Sequence, residues 1–226
     1  MSRSKVPNGP QDAELAARRA VVDTALGMSR RGLSPGRSGN VSCRWLDGML
    51  ITPSGMAYDA IRPEDVAFVG PDGNPAPGSR KPSSEWRFHL AAYEVRPDMH
   101  AVVHTHSLHA VVLACARQPI PAFHYMVAIA GGTDIPCVPY ATFGTEELAA
   151  HVASGLARRN ACLMANHGQI AIATSLPAAL ELATEIEVLA EQYYKVLALG
   201  KAHVLSDAEM ANVLEQFKSY GQRAQD

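Results

Sequence analysis

Strand-like and helical segments alternate along this chain, and the way they are connected restricts the sheet that they can form. Two short apolar runs, Asn40–Trp45 and residues 49–52, are joined through Asp47-Gly48, a dipeptide typical of tight hairpin turns. Later strand-like runs are separated by segments with helical apolar spacing. Because hairpins and helical connections occur in one chain, we predict an α/β fold in which helices cover a mixed, mainly antiparallel sheet.

Apolar periodicity predicts the remaining elements. The predicted helices cover residues 12–31, 84–96, 109–116, 146–158, 176–199 and 207–220. Besides the hairpin, strands are predicted at residues 66–69, before His104 and His106, before His167, and at residues 169–173. No internal repeat divides the chain, so we expect residues 1–12 to form a flexible tail and residues 13–226 to form one domain.

Length and charge restrict the class of protein. The chain has 226 residues, enough for a sizeable core, and its net charge of -2 arises from interspersed acidic and basic residues without a basic stripe. This distribution argues against nucleic acid or an anionic membrane as the main partner. No apolar run approaches the roughly 20 residues of a membrane span, and the N-terminal residues lack a signal-peptide core. We therefore expect a cytosolic protein that acts on a small molecule.

The cysteines do not form a metal-binding or disulfide pattern. Cys43, Cys115, Cys137 and Cys162 are scattered, and most lie inside apolar runs. We therefore predict buried free thiols rather than disulfides or a thiolate metal site. Any zinc ion would be held by nitrogen and oxygen atoms.

An apolar, β-branched run ends in His104-Thr-His106. On a strand, residues two apart point to the same face, so both imidazoles could reach one cation. Two ligands do not hold a zinc ion. A third candidate is His167, which ends another apolar run, and a carboxylate candidate is Glu85. The four residues form one site only if the fold brings them together.

The histidine pair also has a structural interpretation. A half-buried strand can carry two histidines for packing or hydrogen bonding, and an isolated histidine is more often a surface or hydrogen-bonded residue than a ligand. We assign that ordinary role to His100, His151 and His203.

Short segments rich in Gly, Ser, Thr and Asn lie at breaks between elements and are suited to binding an anion. They are residues 36–40, residues 52–55, and Ser83-Ser84 before Glu85. The first N–H groups of a helix are unpaired and its dipole favours negative charge there, so a phosphate at Ser84 would lie within one turn of Glu85. Alternatively, the glycines serve only as turns and Ser84 only as an N-cap. A metal, a carboxylate and a phosphate cradle together indicate chemistry on a phosphorylated sugar with an enolate-like intermediate.

Several motifs between about residues 16 and 221 resemble the class II aldolase/adducin-head family, and most closely its members that act on fuculose phosphate. The motifs are Gly36-Arg-Ser-Gly-Asn-Val-Ser, Leu50-Ile-Thr-Pro-Ser-Gly, Pro82-Ser-Ser-Glu-Trp-Arg-Phe-His, Ala101-Val-Val-His-Thr-His, Pro119-Ile-Pro-Ala-Phe-His-Tyr-Met, Ile135-Pro-Cys-Val-Pro-Tyr-Ala-Thr-Phe-Gly and Asn166-His-Gly. Their order argues against chance similarity. The resemblance implies a single-domain, three-layer α/β/α fold.

The resemblance also implies residue roles. One Zn²⁺ per subunit would be held by His104, His106 and His167, with Glu85 as the fourth ligand in the resting enzyme and as the catalytic acid/base once substrate displaces it. Other divalent metals are compatible with these ligands. The substrate phosphate would be bound by Gly39, Asn40, Ser54, Gly55, Ser83 and Ser84. In the family's homotetramer each site lies at a subunit boundary, which Tyr125, Phe143 and Tyr220 would reach across.

The implied reaction is a reversible retro-aldol cleavage. L-Fuculose 1-phosphate, or a related ketose 1-phosphate, would yield dihydroxyacetone phosphate and L-lactaldehyde, or another small aldehyde, through a zinc-stabilised enediolate. Glu85 would move the proton on C3, and Tyr125 or Tyr220 would handle the aldehyde oxygen. Two residues depart from the fuculose-type pattern: Arg37 replaces a small hydroxyl residue, and Ser54 replaces a threonine. The change at Arg37 bears on which substrate the enzyme uses.

Several alternatives remain at the level of sequence. Sister activities in the family are cleavage of 5-deoxyribulose 1-phosphate, decarboxylation of a 3-oxo-sugar-acid phosphate and 4-epimerisation of a ribulose phosphate. The epimerase is disfavoured by Glu85, since that subfamily has aspartate there. A non-catalytic module like the adducin head is disfavoured by the retained histidines.

Overall fold

A sheet of seven strands forms the centre of the protein, for which the computed structural model describes residues 9–218. The strands are β1 (Asn40–Trp45), β2 (Gly48–Ile51), β3 (Ala67–Val69), β4 (Ala101–Thr105), β5 (Ile120–Pro121), β6 (Asp134–Ile135), β7 (Cys137–Val138), β8 (Ala161–Met164) and β9 (Gly168–Ala173). The helices are α1 (Pro10–Arg30), α2 (Trp86–Val95), α3 (Leu108–Cys115), α4 (Glu146–Leu156), α5 (Leu176–Ala198) and α6 (Asp207–Phe217). Short 3-10 helices occupy Tyr58–Ala60, Pro63–Asp65 and Tyr125–Ala130.

The strand order across the large sheet is β3-β2-β1-β4-β9-β8-β7. Its neighbouring strands are antiparallel except β7 and β8, which run parallel. β5 and β6 pair with each other outside this sheet. The prediction of a mixed, mainly antiparallel sheet is confirmed.

The predicted hairpin between β1 and β2 is present, but its turn lies one position earlier than expected. Trp45 pairs with Gly48, so Leu46 and Asp47 form the loop, and Leu46 adopts a positive φ of 50°. A Cβ atom at Gly48 would lie 2.1 Å from the backbone oxygen of Val69. Gly48 is therefore needed inside the strand, where β3 approaches closely, rather than in the turn.

Helices cover both faces of the sheet. α1, α3 and α5 pack on one face, and α2 and α4 pack against each other on the other face. Because successive strand residues point to opposite faces, β4 contributes Val103 to the first layer and Val102 to the second. This is the single-domain, three-layer α/β/α arrangement expected from the resemblance.

The helices α1 and α2 begin at residues other than the predicted ones. α1 begins at Pro10, a residue suited to the first helical position, rather than at Asp12. α2 begins at Trp86 rather than Ser84, because Glu85 has non-helical angles of φ -101° and ψ 12°. The predicted continuation of α6 to Tyr220 lies outside the described residues. Within residues 9–218, no helix combines the length and apolar character needed to cross a membrane.

The four cysteines are free, as predicted, but they are not all buried. Cys162 is buried, Cys43 and Cys137 are partly buried, and Cys115 is exposed. The prediction of a buried thiol is wrong for Cys115, because α3 is a surface helix whose apolar sequence covers its outward face as well as its inward one.

Candidate metal centre and substrate pocket

Strand pairing brings the three candidate histidines to one edge of the sheet. β4 and β9 are antiparallel with Thr105 opposite Gln169, so the end of β4 lies beside the start of β9. His104 is the last residue but one of β4, His106 directly follows β4, and His167 directly precedes β9. The apolar runs that end in histidine are β4 and β8; both are antiparallel to β9, so they run in the same direction and end at the same edge of the sheet.

The first strand and the second helix bring polar side chains to the same edge. Asn40, the first residue of β1, pairs with His104 on β4. Glu85 immediately precedes α2, which packs on the face of the sheet to which His104 points, and Phe88 on α2 contacts the His104 ring edge-on with centroids 5.2 Å apart. The long connection before α2 thus places a carboxylate beside histidines that are distant in sequence.

The four predicted ligands form a close group, which we call the ligand cluster (Glu85, His104, His106 and His167). One donor atom from each lies within 4.8 Å of the others. The Nε2 atoms of His104 and His106 are 3.0 Å apart, and Nε2 of His167 is 3.0 Å from Oε1 of Glu85. Nε2 of His104 is 3.3 Å from Oε2 of Glu85. The cluster is thus assembled from three element ends: the end of β4, the start of β9 and the start of α2.

Backbone contacts orient His104 for ligation. Its Nδ1 donates a hydrogen bond of 2.8 Å to the carbonyl oxygen of Gln169, so in the neutral ring Nε2 is unprotonated and faces the cluster. Gly168 permits this approach, since a Cβ atom there would lie 2.4 Å from the backbone oxygen of Thr105 and 3.4 Å from the His104 ring. The glycine after His167 is required by close backbone packing.

The donor set fits a divalent cation. Three imidazole nitrogens and one carboxylate oxygen form an N/O ligand set suited to zinc and related divalent ions. Burial, together with the neighbouring imidazoles of His104 and His167, lowers the pKa of His106 to about 3, which keeps this ring in the neutral form that binds metals. Burial acts to raise the pKa of Glu85, but the imidazoles of His104 and His167 outweigh it and hold that pKa below its usual range.

A cavity of about 340 Å³ opens beside the ligand cluster. It is lined by Arg37, Ser38, Gly39, Asn40, Pro53, Ser54, Gly55, Ser83, Ser84, Glu85, His106, Tyr140, Ala141, Phe143, Asn166 and His167. All residues predicted to bind phosphate, and Phe143, are therefore on its wall. Tyr125 is absent from this lining and is half exposed in the 3-10 helix Tyr125–Ala130, and Tyr220 lies outside the described residues.

The loops at the far side of the cavity are tied to one another. The backbone N–H of Ser54 donates to Lys81, and that of Ser83 donates to Thr52. The guanidinium of Arg37 donates to the carbonyl oxygen of Gly55 at 3.1 Å, so a positive charge lies on the cavity rim. Gly55 has a φ of +73°, and nothing lies within 4 Å of where its Cβ would be. This part of the cavity combines serine hydroxyls, the positively charged guanidinium of Arg37 and open space beside Gly55.

Two site features were missed at the level of sequence. The side chain of Asn40 is turned toward Glu85, with Nδ2 donating to Oε2 at 2.8 Å, a contact that loop composition does not predict. His89 is fully buried behind Asn40. Its position one helical turn after Glu85 was the available signal. His100 and His203 are exposed and His151 is partly exposed, in agreement with the ordinary roles assigned to them.

Comparisons with known proteins agree with this site. The family model for the Class II Aldolase and Adducin N-terminal domain matches residues 19–194. The chain is 51% identical over 209 residues to the L-fuculose phosphate aldolase of Escherichia coli (strain K12), covering 92% of this chain and 97% of that protein. It is 50% identical over 213 residues to a 5-methylthioribulose-1-phosphate/5-deoxyribulose-1-phosphate aldolase of Rhodospirillum rubrum, covering 94% and 96%.

The fold comparison leads to the same group. A solved structure of an L-fuculose 1-phosphate aldolase matches with a TM-score of 0.87 at 38% identity, over 90% of this chain and 96% of that one. The family match covers all seven strands of the sheet and all four members of the ligand cluster. The chain therefore belongs to the class II aldolase and adducin N-terminal domain family, and it is an enzyme of the aldolase type, a lyase.

Proposed function

We propose that this enzyme reversibly cleaves a ketose 1-phosphate, with L-fuculose 1-phosphate as the first candidate, into dihydroxyacetone phosphate and a small aldehyde. The observation that carries the proposal is the position of Glu85, which lines one cavity together with two imidazoles and the loops rich in hydroxyl groups. A carboxylate placed between a metal-ligand set and an anion-binding region suits proton transfer at the carbon next to a phosphorylated one.

The ligand cluster would hold the cation, for which we propose zinc. His104, His106 and His167 would supply nitrogen ligands, and Glu85 would supply the fourth ligand until substrate takes its place. When bound, the cation acts as a Lewis acid that stabilises negative charge on the ketose oxygens by several kcal/mol.

We assign the substrate phosphate to a region that we call the phosphate corner (Gly39, Asn40, Ser54, Gly55, Ser83 and Ser84). The open side of Gly55 and the side chains of Ser54 and Ser84 face the same cavity, and Arg37 adds positive charge at its rim. A phosphate held here would present C1 to the cavity and bring C3 within reach of Glu85. Binding energy from the phosphate would thereby orient the reacting carbon.

Glu85 is assigned as the acid/base at C3. In the cleavage direction, the C4 hydroxyl loses its proton, the C3–C4 bond breaks, and Glu85 delivers a proton to C3. In the synthetic direction, Glu85 removes that proton. Asn40 donates a hydrogen bond to the carboxylate, which stabilises its ionised form before it accepts the proton.

The proton at the aldehyde oxygen is assigned to Tyr125 or Tyr220. Tyr125 is 50% exposed and Phe143, at the cavity mouth, is 64% exposed. Their exposure supports a homotetramer in which each site lies at a subunit boundary and tyrosines from a neighbouring copy complete it. The proposal requires neither nucleic acid nor a membrane as partner.

A second candidate substrate is a 5-deoxyribulose-type 1-phosphate. The relative that acts on 5-methylthioribulose and 5-deoxyribulose 1-phosphates is almost as similar to this chain as the fuculose enzyme, at 50% against 51% identity. Both substrates would share the phosphate corner and the cation, and would differ only in the aldehyde half. Decarboxylase, epimerase and adducin-like roles have less support, because the two relatives compared above are aldolases.

The test is release of dihydroxyacetone phosphate by zinc-loaded protein from L-fuculose 1-phosphate and, separately, from 5-deoxyribulose 1-phosphate. We expect Glu85→Gln to keep its metal and lose about 10²- to 10⁴-fold in turnover, as is typical when general acid/base catalysis is removed. Glu94→Gln, an exposed change on the same helix, is the matched control. A fully active Glu85→Gln protein would exclude the assigned base, and no release from either ketose phosphate would overturn the substrate class.

A further inference from the structure

A chain of buried polar side chains runs from the last turn of α2 through β1 to Glu85. Its hydrogen bonds join Tyr93 Oη to Ser42 Oγ at 2.9 Å, Ser42 Oγ to His89 Nδ1 at 2.7 Å, and His89 Nε2 to Asn40 Oδ1 at 2.5 Å. Asn40 Nδ2 then contacts Glu85 Oε2 at 2.8 Å. Ser42 and His89 are 0% exposed, Asn40 is 3% exposed and Tyr93 is 4% exposed.

We infer that this relay (Tyr93, Ser42, His89 and Asn40) orients the Glu85 carboxylate for proton transfer, with His89 as the positioning residue that holds the Asn40 amide in the required direction. The inference rests on the proposed function, because it assigns a purpose to the relay only if Glu85 is the acid/base.

The direction of every hydrogen bond in the relay follows from the chemistry of its ends. A carboxylate only accepts, so the amide NH₂ of Asn40 must face Glu85 and its oxygen must face His89. His89 therefore carries its proton on Nε2, and its Nδ1 accepts a hydrogen bond from the Ser42 hydroxyl. The Ser42 oxygen in turn accepts a hydrogen bond from Tyr93.

Burial keeps this arrangement in one protonation state. Desolvation is the main cause that lowers the pKa of His89 to about 3, so the ring is neutral near pH 7 and has one donor and one acceptor. Burial also raises the pKa of Tyr93, which keeps its hydroxyl protonated as the terminal donor. The donor and acceptor roles of His89 and Tyr93 in the relay are therefore fixed near pH 7.

The relay also links the two elements that carry the site. Asn40 and Ser42 are two apart on β1 and share a face, while Glu85 and His89 are one helical turn apart. The His89 ring stacks on Phe88 at a centroid distance of 5.0 Å, which restricts its rotation. These contacts therefore hold the start of α2 in a fixed position relative to β1, the strand whose Asn40 pairs with His104.

Glu85 needs such support because it lies outside the regular helix. If substrate displaces the carboxylate from the cation, as we propose, Asn40 is the partner that remains in position to hold it. Without a donor from His89, the Asn40 amide loses the shorter of two contacts that oppose its reversal, the other being the 3.5 Å contact of its Nδ2 with the carbonyl oxygen of Ser38. A reversed amide would place its oxygen against the carboxylate, which disfavours the ionised base.

The experiment compares His89→Gln with His89→Leu. Glutamine retains an N–H donor toward Asn40, whereas leucine removes both hydrogen-bonding atoms. We expect His89→Leu to lower kcat about 10- to 100-fold, the range typical of changes behind a metal site, with KM and bound zinc changed less than threefold. His89→Gln should recover most of that loss. Equal kcat for both variants and wild type would overturn the inference.

Two further measurements separate orientation from folding and from the choice of substrate. Ile172→Ala, in the apolar core on the same face of the sheet, is the control for destabilisation and should retain kcat while lowering the unfolding temperature. In wild-type protein, ¹⁵N NMR of the His89 ring, assigned by its loss in His89→Gln, should show protonated Nε2 and unprotonated Nδ1. The opposite tautomer would overturn the relay even in an active enzyme, whereas the expected tautomer in a protein inactive on both ketose phosphates would refute only the proposed function.

Discussion

Nε2 of His167 lies 3.0 Å from Oε1 of Glu85, although one residue precedes a strand in the centre of the sheet and the other precedes a helix on its face. The contact joins the two members of the ligand cluster that no local pattern relates. It depends on β9 pairing with β4 and on α2 packing over β4, so disturbing either element should disturb the metal site.

Removal of one imidazole should cost both metal and stability. We expect His104→Ala to lose stoichiometric zinc, measured by elemental analysis of the purified protein, while His151→Ala, a partly exposed histidine, should keep it. Because binding to the folded state alone adds about 2.7 kcal/mol when free metal is 100 times Kd, chelation should lower the unfolding temperature of wild type. His104→Ala should show no such chelator effect. Full zinc content in His104→Ala would contradict the ligand assignment.

Arg37 should contribute to binding of the phosphorylated substrate rather than to turnover. Its guanidinium lies on the cavity rim and contacts Gly55. A charge-assisted hydrogen bond is worth about 1.5–3 kcal/mol, so Arg37→Gln should raise KM roughly 10- to 100-fold with a smaller change in kcat. The measurement is steady-state kinetics with inorganic phosphate as competitor, and Arg31→Gln on the exposed end of α1 is the control. An unchanged KM and an unchanged inhibition constant for phosphate would show that Arg37 does not contact the substrate phosphate.

Gly168 should tolerate no side chain. A Cβ atom there would lie 2.4 Å from the backbone oxygen of Thr105, and backbone cannot move aside without separating β4 from β9. We expect Gly168→Ala to lower the free energy of unfolding by about 1–3 kcal/mol, as overpacking does, and to weaken metal binding as well. Urea unfolding and zinc titration would measure the two effects. Gly9→Ala, with nothing within 4 Å, should change stability little, and equal stability of both variants would show that the sheet adapts.

Asp65 should make stability depend on pH in the acid range. Its pKa is lowered by the backbone N–H of Arg62 first and then by the side chain of Arg80. Because the folded pKa is below the unfolded one, this stabilisation is complete above the unfolded value of about 4 and is lost as pH falls through the folded pKa. Asp65→Asn should therefore have a lower unfolding temperature than wild type at pH 7, and the difference should shrink below about pH 4. A constant difference from pH 7 to pH 3 would contradict this assignment.

Apolar periodicity predicted the long elements well and the short ones poorly, because a period can be recognised only over several residues. The strand before His104 and the helix that became α5 have long apolar periodicity, and both are present where expected. The strands β5, β6 and β7 have two residues each and lie among prolines, so no period can be recognised in them. The exposure of Cys115 shows the same limit, since apolar composition does not tell which side of a surface helix faces outward.

Some parts of the candidate site could be predicted from the sequence and others could not. The convergence of His104 and His106 is a local property, because residues two apart at a strand end point to one side. Glu85 and His167 were candidates from the sequence, the resemblance implied that they join this pair, and their geometry required the fold. The contact of Asn40 with Glu85 and the burial of His89 behind it could not be predicted from loop composition, which assigns Asn40 only to the phosphate.

By itself, the sequence determined the helices, the longer strands, the hairpin, the strand-end histidines and the family whose motifs they carry. These depend on interactions between residues close along the chain, such as periodicity, turn preference and glycine tolerance. Only the tertiary structure decided which strand ends meet, which side of α3 is exposed, and which partner the Asn40 amide takes. Those outcomes depend on long-range strand register and helix packing, because buried polar groups must be paired with whatever the fold places beside them.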